Sequence, residues 1–336
     1  MKNCTAMRQL PALVLALAFG AGVFGQTPPP VAVLEIEMQN SVNYWYDVAD
    51  PSQTVTSPDI VRARGRNFLG MILIADIVAV NGKPAKGTTL FRSIQAVLSP
   101  NPQPRTAIAD IARTGLGDFC LEIHQADGTP VGAIMGLGFS GGPPPPGAPP
   151  GATSMNLAVT GGTGAFLGVR GQRMVISAPV AVRQASVSED PANRRTHGGG
   201  TVRNVLHLIP LSWPEIVTTR DGPAIVHSND FTLVTPAKPA RPGELLSLFA
   251  TGLGPTRPGV ASGKPFPASP LEVVNSPVEV TVNGTPAEVL AAVGYPGAVD
   301  RYQVNFRLPP DAGRGQATIQ LSAAWIPGPE MRMAVQ

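Results

Sequence analysis

The sequence predicts an all-β protein: a closed barrel of about eight strands, followed by a smaller β-unit. Three observations carry that expectation. Glycine and proline each occur 37 times in 336 residues, cutting the chain into short segments. Between those breaks, Val/Ile/Leu-rich runs alternate with polar residues at the period of a strand. Long amphipathic helical patterns are missing.

The first residues bear on compartment. Lys2 and Arg8 precede an apolar run, Leu10 to Phe24, that ends in small residues at Gly25. This is the pattern of a secretory signal peptide over 1–25, cleaved near Gly25 and Gln26. Pro11 breaks the run, which is shorter than the ~20 apolar residues of a membrane span. No cysteine stands at the cleavage point and no second hydrophobic segment comes later, so the expectation is a secreted or periplasmic protein with no membrane insertion. Cys4 leaves with the signal and Cys120 stays alone, so burial rather than a disulfide must supply the stability. The formal charge of +3 falls to +1, with 23 basic residues facing 22 acidic ones. No basic stripe with interleaved aromatics exists, and nucleic acid is not an expected partner.

The barrel is expected over 31–211. Its candidate strands are Val31 to Gln39, Val42 to Val48, Asn67 to Val80, Thr88 to Ser99, Arg105 to Arg113, Asp118 to Gln125, Pro130 to Phe139, Ser154 to Thr160, Gln172 to Val182 and Thr201 to Leu208. Each is a β-branched or apolar run bounded by turn residues, and Asp127-Gly128 marks a tight hairpin. Two inserts interrupt the pattern. SGGPPPPGAPPGA (Ser140 to Ala152) is a stiff polyproline-like loop, and Ser186 to Gly200 is polar. SWPEIVTTRDG, 212–222, reads as a linker.

Val159 to Gly171, VTGGTGAFLGVRG, has the look of a nucleotide loop but not its physics. A dinucleotide site needs glycines at fixed offsets and a helix directly after them. Here Leu167 stands where a TGxxGxxG pattern wants glycine, and QRMVISAPVAV after it is β-branched with Pro179. GGTGxFxxxRG instead resembles the signature turn of the dirigent and allene oxide cyclase-like β-barrels, where it joins two late strands. That resemblance implies a barrel whose members guide or perform cyclisation and coupling chemistry, with acids, an arginine and tyrosines on its walls. Ala165 occupies the position where some members carry an acid after GGTG, and Arg170 matches the motif's arginine.

From Pro223 to Gln336 the pattern changes. PGELLSLFATGLGP (Pro242 to Pro255), VEVTVNGTPAEVL (Val278 to Leu290) and YQVNFRLPPDAGRG (Tyr302 to Gly315) resemble the Ig-like C-terminal domain family of secreted acidobacterial proteins. The resemblance implies a β-sandwich serving as a spacer or adhesion unit, with an extracellular or cell-surface partner. Independently, Val278, Val280 and Val282 alternate with Glu279 and Thr281, and Asn283-Gly284 supplies a type I′ turn.

HExxH, CxxC, GxSxG and GxxxxGK[ST] are all missing, and no cofactor or metal is expected. Candidate chemistry rests on polar residues in apolar rows. Asp76 shares a strand face with Ile72, Ile74, Val78 and Val80; Asp110 shares one with Thr106, Ile108 and Ala112; Arg92 lies with Ile94, Ala96 and Leu98. Turned inward, Asp76, Asp110 and Arg92 would form an acid/base group in a low-dielectric lumen; turned outward, they are ordinary ion pairs. Tyr44 and Tyr46, flanking Trp45, are candidates for stacking on a ligand ring. Cys120, Glu122 and His124 alternate on one strand face without a fourth ligand, and His197 reads as a loop residue. The sequence therefore reads as a secreted protein whose barrel binds a small, largely apolar or phenolic ligand through Tyr44, Tyr46, Asp76, Arg92 and Asp110. The rivals are a barrel isomerase or cyclase using Asp76, Asp110 and Arg92, and a structural surface protein.

Overall fold

The computed structural model describes residues 31–48, 68–96, 115–140, 148, 152–176 and 180–336. The expected signal peptide, the Arg105 to Arg113 strand with Asp110, and most of the polyproline-like loop lie outside them. The first region consists of β1 (Ala32–Asp47), β2 (Phe68–Val80), β3 (Lys83–Ala96), β4 (Gly115–Gln125), β5 (Pro130–Ser140), β6 (Ala152–Gly162), β7 (Arg170–Ile176), β8 (Arg183–Ser186) and β9 (Gly200–Ile209). Their order is β2-β3-β4-β5-β6-β7-β9-β1, and pairing of β1 back onto β2 closes an antiparallel barrel of eight. β8 adds a short parallel strand along β1, from Val42 to Trp45.

Local chemistry explains the boundaries. Val31 to Gln39 and Val42 to Val48 form one strand rather than two, because Asn40 at φ 51° absorbs an irregularity without ending the pairing. β3 starts at Lys83 rather than Thr88, since Asn81-Gly82, at φ 50° and 71°, forms a tight turn directly after β2. At the β4–β5 turn, the Asp127 carboxylate accepts the Thr129 N–H at 2.8 Å.

Strand alternation decides what fills the barrel. On β2 the buried row is Leu69, Met71, Leu73, Ala75 and Ile77, while Ile72, Ile74, Asp76 and Val78 are half-buried on the outer side. Phe91, Phe119, Leu121, Ile123, Leu157, Val159 and Leu206 complete the inner packing. Wall glycines make room for the two rings. A Cβ on Gly117 would lie 2.6 Å from the Phe91 ring, and one on Gly136 2.6 Å from the Phe119 ring. The phenyl groups therefore occupy space that a side chain at either glycine would fill.

The GGTG segment is a turn between β6 and β7, with one 3₁₀ turn at Gly164–Phe166 and no longer helix. Gly164 has φ 62°, and a Cβ there would sit 2.4 Å from the Val131 carbonyl oxygen, so the position requires glycine. Arg170 braces the turn by donating to the carbonyls of Thr160 and Val169.

The C-terminal lobe is a second, largely antiparallel sheet. Along its path run Glu215–Ile216, Leu245–Thr251, Tyr302–Arg307, Thr285–Gly294, Val278–Val282, Gly315–Ala323 and Ile326–Val335. Asn283 and Gly284 have φ 51° and 79°, the I′ geometry expected of that hairpin. The lobe has its own core, around Leu246, Leu248, Val280, Phe306, Ile319 and Leu321. Ile216, within the stretch expected as linker, is part of that core.

The two lobes touch at the barrel end that carries the Asn81-Gly82 and Asp127-Gly128 turns. Ala324 and Trp325, both with positive φ, form a hairpin tip that joins the barrel's own core cluster together with Ile326. Gln125 donates to the Asn275 carbonyl at 2.6 Å, and Arg257 to the Thr129 hydroxyl at 3.1 Å. A fragment beginning at residue 214 is expected to melt cooperatively on its own. One beginning at 223 should be less stable by about 1 to 3 kcal/mol, because it lacks Ile216. Thermal unfolding of the two fragments tests this; equal stabilities would show that Ile216 contributes nothing to the second core.

Candidate functional site

Of the residues singled out in the sequence, Asp76, Arg92, Tyr44 and Tyr46 are described, and they do not meet in the lumen. Asp76 faces outward because the odd-numbered row of β2 takes the core. Its carboxylate accepts from Arg194 Nη2 at 2.5 Å, from Arg195 Nε and Nη2 at 2.9 Å each, and from Asn40 at 3.0 Å. Burial alone would raise its pKa, but these hydrogen bonds outweigh burial and hold it at about 2. Arg194 is itself buried and donates to the Pro191 carbonyl at 2.9 Å, so the ion pairs clamp the Pro191–Arg195 turn onto β2. Arg92, 62% exposed, pairs with Asp118 at 3.0 Å on the outer surface. Asp110 lies outside the described residues.

Tyr44 and Tyr46 share a face as expected, and it is the outer one. Tyr44 is buried beside β8, opposite Ala185, with its hydroxyl unpartnered. Burial raises its pKa, and the neighbouring Glu189 adds to the effect. Tyr46 lies across Gly70, where a Cβ would come within 2.0 Å of its ring. Tyr46 and Arg92 are brought together in a surface hollow of about 620 Å³ that also includes Ile94, Leu116, Asp118 and Leu137. Its charges already satisfy one another. Cys120, Glu122 and His124 share a face of β4 with His124 Nε2 3.2 Å from Glu122; among the described residues no three metal-ligating groups gather around one point.

The inner face holds a different set. Asn43, Trp45 and Asp47 follow one another at alternate positions near one end of β1, opposite the inward residues Leu73, Met71 and Leu69. Gln184 accepts from Trp45 Nε1 at 2.5 Å and from Asn43 at 3.4 Å, tying β8 to that end. Deeper, between Leu157 of β6 and Leu206 of β9, stands Arg173. It is completely buried, and none of its three side-chain nitrogens has a hydrogen-bond partner. Its guanidinium carbon lies 4.4 Å from the centroid of Phe119 and 5.9 Å from that of Phe91. Burial pulls its pKa down to about 9, which still leaves a cation at neutral pH. Asn204, two residues before Leu206 on the same face, has an unpartnered amide oxygen.

Arg173 was hidden in the sequence. In QRMVI both Arg173 and Met174 are buried, so neither face of β7 reads as the solvent side, and alternation alone does not show which residue points inward. The one usable signal was an arginine flanked at i±2 by Gly171 and Val175 within an apolar strand.

Fold and site together define a closed antiparallel β-barrel with a buried, unpaired arginine in its packed interior and a second β-lobe at one end. No protein-family model and no curated protein matches the sequence. Two solved structures are similar at a low level. One is a pyocyanin demethylase, 16% identical, covering 54% of this chain and 100% of its own, with a TM-score of 0.26. The other is the N-terminal domain of the Streptococcus gordonii adhesin Sgo0707, 9% identical, covering 92% and 93%, with a TM-score of 0.17. At those scores neither bears on what this chain does.

The ion-pair geometry gives a contrast. Asp76→Ala strands the buried Arg194 and is expected to cost about 3 kcal/mol at neutral pH, whereas Arg92→Leu should cost about 0 to 1 kcal/mol. The two losses should add, since the residues share no partner. The folded pKa of Asp76 lies below the ordinary 3.8, so its contribution is full above about pH 4 and is lost as pH falls through about 2. Urea unfolding of the single and double variants at pH 7 and pH 3 measures both effects. Separately, millimolar NAD, NADP or ATP should give no saturable heat, because the GGTG turn opens no helix. Binding abolished by Gly164→Val would overturn that.

Proposed function

We propose that this chain is an exported binding protein whose barrel interior holds a small, largely apolar ligand without transforming it. Arg173 carries the reading. An isolated charge inside hydrocarbon costs several kcal/mol unless a partner offsets it, and no part of the described protein supplies that partner. Natural proteins tolerate such a cost where function requires it.

Binding is favoured over an acid/base reaction by the state of Asp76. A general base works best with a pKa near the operating pH, and Asp76 is at about 2 with both oxygens engaged. The GGTG turn between β6 and β7 supports a dirigent-like barrel, and the Asn283-Gly284 hairpin with its alternating valines supports an Ig-like sandwich over 223–336. Such a module suits an accessory or adhesion role toward an extracellular partner. Export rests on Lys2, Arg8 and the Leu10 to Phe24 run; among the described residues no helix is long and apolar enough to cross a membrane.

Native mass spectrometry of protein recovered from outside the cells of its own host tests both parts. The expected species begins near Gln26 and carries a co-purified mass of a few hundred daltons that organic extraction removes. A full-length intracellular species would count against export, and a consistently bare barrel against binding.

A further inference from the structure

We infer that Arg173 is the anion-binding subsite of the barrel, and that its ligand is an apolar monocarboxylate. The inference rests on the binding function proposed above and specifies its chemistry.

Three features of the site lead there. The Arg173 guanidinium carbon lies over the rings of Phe119 and Phe91, 4.4 and 5.9 Å from their centroids, so the cation's near contacts are π-faces, which attract it without accepting an ordinary hydrogen bond. Its side-chain donors have no acceptor among the described residues. A planar fork of N–H groups fits a carboxylate with two parallel hydrogen bonds, which water or an alcohol cannot reproduce and which also neutralise the charge. The surroundings fix the rest of the molecule. Phe91, Phe119, Leu157 and Leu206 are fully or almost fully buried beside the arginine, with Thr89, Ser93 and Asn204 as buried polar groups on the strands that carry them, so the body bearing the carboxylate is largely apolar. Arg173 is the one charged side chain among the described residues that is fully buried without a hydrogen-bond partner, so it balances a single negative charge. A dianion would leave its second charge in hydrocarbon.

The guanidinium has no exposed surface in this structure. Entry of the acid therefore displaces side chains rather than filling an existing gap, and association is expected to be slow compared with diffusion.

The test uses the mature chain and calorimetric titration with decanoate and trans-cinnamate, each against its matched alcohol, decanol or cinnamyl alcohol. At least one acid should bind at one per chain, roughly tenfold or more tightly than its alcohol. Arg173→Met should remove that preference while melting at the same temperature as wild type or higher, because it deletes an unpaired buried charge. Arg173→Lys, which keeps the charge but not the fork, should bind the acid with intermediate affinity. Equal affinity for acid and alcohol would overturn the carboxylate subsite and leave the binding function standing. Silence toward all four compounds would overturn both. An Arg173→Met variant that melts lower, or that retains the preference for acid, would show that the arginine is structural.

Discussion

β1 must pair on both edges for this barrel to exist. Along its first half it bonds β9, from Ala32 opposite Leu208 to Ser41 opposite Gly200, and from Ile36 onward it bonds β2, down to Asp47 opposite Leu69. A flat sixteen-residue strand would overshoot the curvature that eight strands impose. The irregularity at Asn40 relieves this: the strand bends, pairing to β2 resumes at Val42, and the inward row passes from Leu34, Ile36 and Met38 to Trp45. The same bend frees the end of β1 from β9, which opens an edge for β8 to occupy. The Asp76 clamp lies beside the bend, since Asn40 itself donates to that carboxylate. Closure, the β8 strand and the Pro191–Arg195 turn therefore form one mechanically linked arrangement.

Among the described residues large side chains fill the barrel interior, so the proposed ligand would have to displace some of them. Phe91, Leu121, Ile123, Ile134 and Leu157 are completely buried, and Gly117 and Gly136 on the wall leave room for the Phe91 and Phe119 rings. That packing is what makes Arg173 anomalous. Cation–π contact recovers about 1 to 2 kcal/mol of a desolvation cost several times larger. The arginine therefore lowers the stability of the barrel it occupies. In such a low-dielectric setting one well-placed charge pair would be strengthened and every mismatch penalised.

The legible parts of the sequence were those governed by local rules. Asp127-Gly128 and Asn283-Gly284 announced their hairpins, the β-branched runs announced most of the described barrel strands though not β8, and the glycine segment could be separated from a nucleotide loop by the strand-like QRMVI directly after it. Asn81-Gly82 carried the same hairpin signal and fixes the start of β3. The illegible parts depended on which side of each strand faces in. The rows of β2 are apolar on both faces, Leu73 and Ile77 on one and Ile72 and Ile74 on the other, because Tyr44 and the Pro191–Arg195 turn cover the outside. Asp76 therefore looked like a lumen residue. Its true partners, Arg194 and Arg195, are more than a hundred positions away in a stretch that reads as a polar insertion. Arg173 was concealed by the same two-sided burial.

The Ala324–Trp325 tip bears on how force would pass through the molecule. A β-lobe joined only by a connecting segment would swing freely, and tension on it would be spent straightening that segment. Here the tip of a hairpin is embedded in its neighbour's core, and Asn81 holds the Trp325 carbonyl. A pull on the C-terminal lobe would load the barrel's hydrophobic interior directly. The junction acts as a lever arm rather than a joint, so drag or attachment at one lobe would be felt in the packing of the other.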